Sequence, residues 1–140
     1  MADTSTVQLR HELPDGSWHI DWMLARDETS KLVTLRLPGR LDRLETGSTV
    51  EGDFLDHHRR RYLQYEGPLS DNRGHVQRVA AGQVLDWACH GDEWWITVQW
   101  QDGPRQDIRV HGDGGVPVPG ANCRVYCVSS SEDPGSCRVR

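Results

Sequence analysis

The chain has no run approaching the roughly 20 apolar residues that span a bilayer. Its opening MADTSTVQLR also lacks the apolar segment of a secretory leader. Both absences predict a soluble, cytoplasmic protein without a membrane partner. Positive charge is in deficit too: 16 Lys and Arg stand against 21 Asp and Glu, a formal charge of −5. That excludes a broad basic sleeve for nucleic acid, whose non-specific grip needs many Lys and Arg contacts to phosphates, but not a local basic patch. Cysteine occurs four times, at Cys89, Cys123, Cys127 and Cys137, with no Cys-x-x-Cys pair. Without a secretory signal these read as reduced thiols acting mainly as small apolar side chains. The shared strand parity of Cys123 and Cys127 leaves a soft-metal site as the alternative. No internal repeat is present.

What is present points to strands. The length of 140 residues suits one domain, expected to run over 1–140 with a loose tail from about 129. The 14 Gly, 7 Pro and 6 Trp favour short strands and turns over helices. Alternating or apolar runs lie at about 7–12, 17–24, 31–37, 61–65, 75–80, 83–89, 93–100, 106–110 and 122–129. Between them sit Pro14-Asp15-Gly16, Pro38-Gly39, Gly67-Pro68, Gly91-Asp92, Asp102-Gly103-Pro104 and the stretch from Gly112 to Gly120, all turn formers. Only residues 41–60 carry any helical pattern, and it is weak. The expected fold is mostly β, a small closed or partly open antiparallel barrel with at most one or two short helices. In Glu93–Trp100 the alternation of Trp94, Ile96 and Val98 predicts core positions. Trp95 is left as the exposed ring, so a base-stacking platform is not expected there.

The segment His11-Glu-Leu-Pro-Asp-Gly-Ser-Trp-His19-Ile-Asp21 concentrates chemistry. Residues two apart on a strand share a face, so His19, Asp21 and Met23 project to one side. Trp18, Ile20 and Trp22 form the other, apolar side, expected to face the core. Pro14-Asp15-Gly16 suits a three-residue hairpin loop, a type I turn with Gly in the left-handed conformation. Leu13 then pairs with Ser17, facing residues have numbers summing to 30, and His11 lies opposite His19. Cross-strand Cβ atoms about 4.5–5.5 Å apart would let both imidazoles and Asp21 converge on one cation. A two-residue loop would instead send His11 to the opposite face. Two His and a carboxylate leave coordination positions open, as a catalytic ion requires, and suit manganese, iron or zinc. An ordinary His19–Asp21 pair beside a surface His11 is the alternative reading of this spacing.

A second constellation, Asp56-His57-His58-Arg59-Arg60-Arg61-Tyr62-Leu63-Gln64-Tyr65-Glu66-Gly67, gathers residues that handle phosphate. Protonated His and Tyr donate to phosphoryl or leaving-group oxygens, and Arg clamps the anion. The alternative is a charged surface anchored by Tyr62 and Tyr65. Together the two segments resemble the 3′-phosphoesterase domain of bacterial DNA ligase D and the small stand-alone proteins like it. That family reads His, a short loop, His-x-Asp, and later Asp-His followed by Tyr and an aromatic-Glu-Gly. The likeness runs from about residue 8 to 86. It departs at Met23, where the family has an Arg that contacts phosphate, at Ile20, where it has an aromatic, and in a longer loop between the two His. His57 leaves two candidates for the family's phosphate-contacting His.

The resemblance implies a small β-barrel whose groove processes DNA 3′ ends, removing a 3′-phosphate or a terminal ribonucleotide remnant in repair. It implies His11, His19 and Asp21 as metal ligands, with manganese the expected ion and zinc the alternative. His58 and Tyr62 would be catalytic, with His57 as the second candidate, and Arg59 or Arg61 would supply the guanidinium missing at Met23. The partners implied are primer–template DNA 3′ ends and a DNA ligase or polymerase. Three competing readings remain: a metal- and nucleic-acid-binding module without turnover, a metalloenzyme acting on a small phosphorylated molecule, and a structural protein with no site.

Overall fold

A computed structural model describes residues 4–112 and 118–129. Among them nine strands form: β1 (Ser5–Glu12), β2 (Trp18–Leu24), β3 (Leu32–Leu37), β4 (Thr49–His58), β5 (Gly67–Pro68), β6 (His75–His90), β7 (Glu93–Trp100), β8 (Arg105–Gly112) and β9 (Asn122–Val128). Helical structure among these residues is limited to two 3-10 turns, Leu41–Arg43 and Arg60–Leu63. All strands pair antiparallel in the order β1-β2-β3-β4-β9-β8-β7-β6, and β6 returns to β1, closing a ring of eight. The short β5 adds to the first residues of β6. The architecture is thus mostly β and barrel-like, as the sequence predicts. Among the described residues no helix is long and apolar enough to cross a membrane.

Period-2 alternation fills the ring. Ile20, Trp22 and Leu35 meet Ile96, Val98 and Trp100 in one buried cluster, and Trp22 donates its indole N–H to Thr6 Oγ1 at 2.8 Å. Trp94 is buried as expected, while Trp95 is half-buried, stacked on His90 at 3.8 Å and covered by the Arg109 guanidinium. Cys123 and Cys127 lie in this core, where burial pushes both thiols up to about 11, and Cys89 is exposed. A neutral buried thiol packs as a small apolar group and is a poor metal ligand. On the outer face of β1 and β2 a second cluster joins Val7, Leu9, Met23, Ala25, Leu32 and Val76, roofed by Tyr62, Leu63, Tyr65 and Leu69. β2 is therefore buried on both faces, and the face carrying His19 and Asp21 has a floor.

The structure corrects several expectations. Trp18, assigned to the core face, is 44% exposed, because it stands at the strand's first position, beyond the ring, with the Arg10 guanidinium over it. Residues 61–65 are not a strand; most of the segment is the second 3-10 turn, whose three-residue period brings Tyr62 and Tyr65 together at 5.9 Å. Residues 41–60 hold the first 3-10 turn and, at Arg60, the start of the second, and Thr49–His58 is a strand. Its alternation is hard to read because Gly52 takes an inward position. The runs 75–80 and 83–89 are one continuous β6. Most of the expected 112–120 turn, residues 113–117, lies outside the described residues, as do the tail from 130 and Cys137.

Candidate metal centre

The β1–β2 hairpin adopts the predicted register. Leu13 N donates to Ser17 O at 2.8 Å, Gly16 N to Leu13 O at 2.9 Å, and Gly16 has φ +89°. Only glycine takes that φ without strain, so the loop keeps three residues and His11 stays on the face of His19. The Asp15 carboxylate locks the turn by accepting from Ser17 N and Oγ. His11 then pairs directly with His19, their rings edge-on at 4.8 Å. One donor atom from each of His11, His19 and Asp21 lies within 4.8 Å of the others.

Electrostatics of the triad are those of a cation site. Asp21 is 3% exposed; burial pushes its carboxyl up, but the His11 and His19 imidazoles outweigh this and hold it at about 2. The carboxylate is therefore ionised at every physiological pH. His11 Nδ1 is 3.6 Å from Asp21 Oδ2, and that carboxylate raises the His11 pKa above its ordinary value, against partial burial and the charge of Arg36. His19 Nε2 and Asp21 Oδ1 approach to 3.1 Å, yet both are buried without a hydrogen-bond partner. Buried polar atoms are rarely left so, and a bound ion is among the standard explanations. A divalent cation fits this donor set.

His11 is oriented from behind. Its Nε2–H donates to the backbone carbonyl of Arg73 at 2.7 Å, which leaves the Nδ1 lone pair toward Asp21. Such outer contacts fix the tautomer of metal-binding histidines. The Arg73 carbonyl reaches His11 because Gly74, at φ +90°, lies against β1; a Cβ there would sit 1.9 Å from Glu12 O. Gly74→Ala is expected to push this loop off His11 and weaken manganese affinity by about 10- to 100-fold, measured by titration calorimetry.

From His11 and Asp21 a cleft of about 560 Å³ runs between the second 3-10 turn and the 68–73 loop. It is lined by His57, His58, Arg59, Arg61 and Tyr62, so the two sequence constellations do meet in one place. Adjacent strand residues normally face opposite ways. Here Leu32 pairs with His58 but Thr34 with Leu55, a bulge that puts one extra residue in β4 and lets both His57 and His58 line the cleft. His58 Nδ1–H donates to Asp56 O at 2.8 Å, leaving Nε2 for a ligand, and its ring meets Tyr62 edge-on at 5.8 Å. Arg61 stacks over Tyr62 and Tyr65.

Tyr65 of the second constellation and Arg73 also line the cleft, as do Lys31 and Ser70, which sequence reasoning missed. It missed Arg36 as well, which pairs with Asp21 across β2 and β3 and so shares its face. Alternation within Leu32–Leu37 carried the signal for Arg36. Nothing local marks a backbone carbonyl such as that of Arg73. A scan of protein-family models finds no match to this chain, and a search of curated proteins finds none either.

Proposed function

We propose that this protein is a metal-dependent phosphoesterase acting on DNA 3′ ends, of the type found in bacterial DNA ligase D. The observation that carries the reading is the buried, unpartnered pair His19 Nε2 and Asp21 Oδ1, beside His11, at one end of a cleft lined by His58, Tyr62 and four cations. His11, His19 and Asp21 would hold the ion, manganese before zinc. When bound, a divalent cation supplies Lewis acidity toward a phosphoryl oxygen and activates water.

The chain's own groups supply the rest. His58, with Nδ1–H committed to Asp56 O, presents Nε2 to the phosphoryl group. Water attacks phosphorus, the P–O3′ bond breaks with its electron pair going to O3′, protonated Nε2 gives that oxygen its proton, and the proton shed by the water passes through the released phosphate back to Nε2. Tyr62 O–H and the Arg61 guanidinium stacked on it stabilise charge spread over the phosphoryl oxygens. Lys31, Arg59, Arg61 and Arg73 outnumber Asp21 and Asp56 in the cleft, so an acidic protein offers a local anion site.

The deciding experiment is phosphate release from a 3′-phosphorylated, recessed primer–template. Release with manganese that stops on chelation is expected; none under either condition defeats the proposal. Met23 favours a second reading. It is 1% exposed on the ligand side of β2, where the family has an anion-binding Arg, and a thioether holds no phosphate. A module that binds metal and 3′ ends without turnover would give binding and no release.

A further inference from the structure

The cleft extends past the reacting centre. The β2–β3–β4 ladder orders its residues: Asp21 with Arg36, then Met23 with Thr34, then Leu32 with His58. Lys31 and Arg59 follow, immediately before β3 and immediately after β4, and both line the same cleft. A phosphoryl group held between the triad and His58 leaves these two cations beyond it.

They are also the disengaged cations of the cleft. Arg61 stacks on Tyr62 and Tyr65, and Arg73 is spent on Ser70, donating to its carbonyl and hydroxyl. Among the described residues neither the Lys31 nor the Arg59 side chain has a hydrogen-bond or ion-pair partner. Lys31 is the only lysine of the chain, the other 15 basic residues being Arg. Two unpartnered cations lining one cleft repel each other, and an anion held by both removes that cost. Their counterpart is a second phosphate on the same ligand.

We propose that Lys31 and Arg59 form a second phosphate seat, occupied by the internucleotide phosphate next to the 3′ terminus. The inference rests on the phosphoesterase reading and narrows its substrate class. The ligand is a polynucleotide end of at least two nucleotides, and a nucleoside 3′-monophosphate lacks the group that fills the seat.

A neutral-linkage cycle tests this. The ligand is a fluorescent oligonucleotide ending in a non-hydrolysable 3′-phosphonomethyl group, titrated in the presence of manganese. Its terminal internucleotide linkage is either ordinary or an uncharged methylphosphonate. The wild type is expected to bind the neutral form about tenfold more weakly. Lys31→Ala/Arg59→Ala is expected to bind the ordinary form about tenfold more weakly, to lose about 1 from its salt slope, and to be indifferent to the neutral linkage. Arg105→Ala/Arg124→Ala removes the same charge away from the cleft and should keep the wild-type discrimination. Equal sensitivity of the wild type and the cleft variant, or no sensitivity in the wild type, would overturn the seat. Intact coupling without phosphate release from the natural 3′-phosphate would keep the seat and remove only the catalytic reading.

Discussion

Replacing His19 by Ala is expected to abolish manganese uptake and to lower phosphate release by about a thousandfold, the several kcal/mol that a catalytic cation contributes. Fold stability should fall far less. The imidazole removed makes no hydrogen bond at Nε2 in the metal-free protein; its loss takes one of two neighbouring imidazoles from Asp21, and His11 stays beside that carboxylate. Calorimetry for the ion, thermal unfolding for the fold and phosphate release for activity separate these effects. A variant that unfolds cannot pass the second measurement, and one that stays active refutes the ligand role. The wild-type titration also has a predicted pH dependence. Cation and proton compete for the His11 lone pair. Because the Asp21 carboxylate raises the His11 pKa above 6.5, affinity should keep rising with pH through and beyond that value.

The site was legible where a single local geometry fixed it. Pro14-Asp15-Gly16 favours a three-residue turn over a two-residue one, that turn fixes the register, and the register places His11 on His19; every step can be taken from eleven residues. The strand pattern was legible for the same reason wherever one face meets the core, as in Glu93–Trp100. It failed where another force set the pattern. In β4 the inward Gly52 removes an apolar mark, and the bulge before His58 breaks the period of two. Across Arg60–Leu63 and just beyond it the rings of Tyr62 and Tyr65 pack on each other and on the outer cluster, so a three-residue spacing replaces alternation. Lys31 and the Arg73 carbonyl behind His11 were out of reach because their placement depends on how the 68–73 loop and the β3–β4 ladder fold against a hairpin distant in sequence.

The choice between the adjacent histidines carries the second large effect. Both line the cleft, yet only His58 has its tautomer fixed: Nδ1–H is held by Asp56 O and its ring is braced by Tyr62. His57 is exposed, and among the described residues its ring has no such partner. A proton donor must be positioned before its pKa matters. His58→Ala is therefore expected to lower kcat by about 10²- to 10⁴-fold with a small change in KM, the usual range for losing a positioned acid. His57→Ala should change kcat by less than about tenfold. His58→Gln, which keeps a donor to phosphoryl oxygen but cannot release a proton, separates the two roles of the imidazole. If the Gln variant stays as slow as Ala on a phosphate ester with a poor leaving group but recovers on one with a good leaving group, His58 protonates O3′. If it recovers equally on both, the residue acts by hydrogen bonding to the phosphoryl group alone.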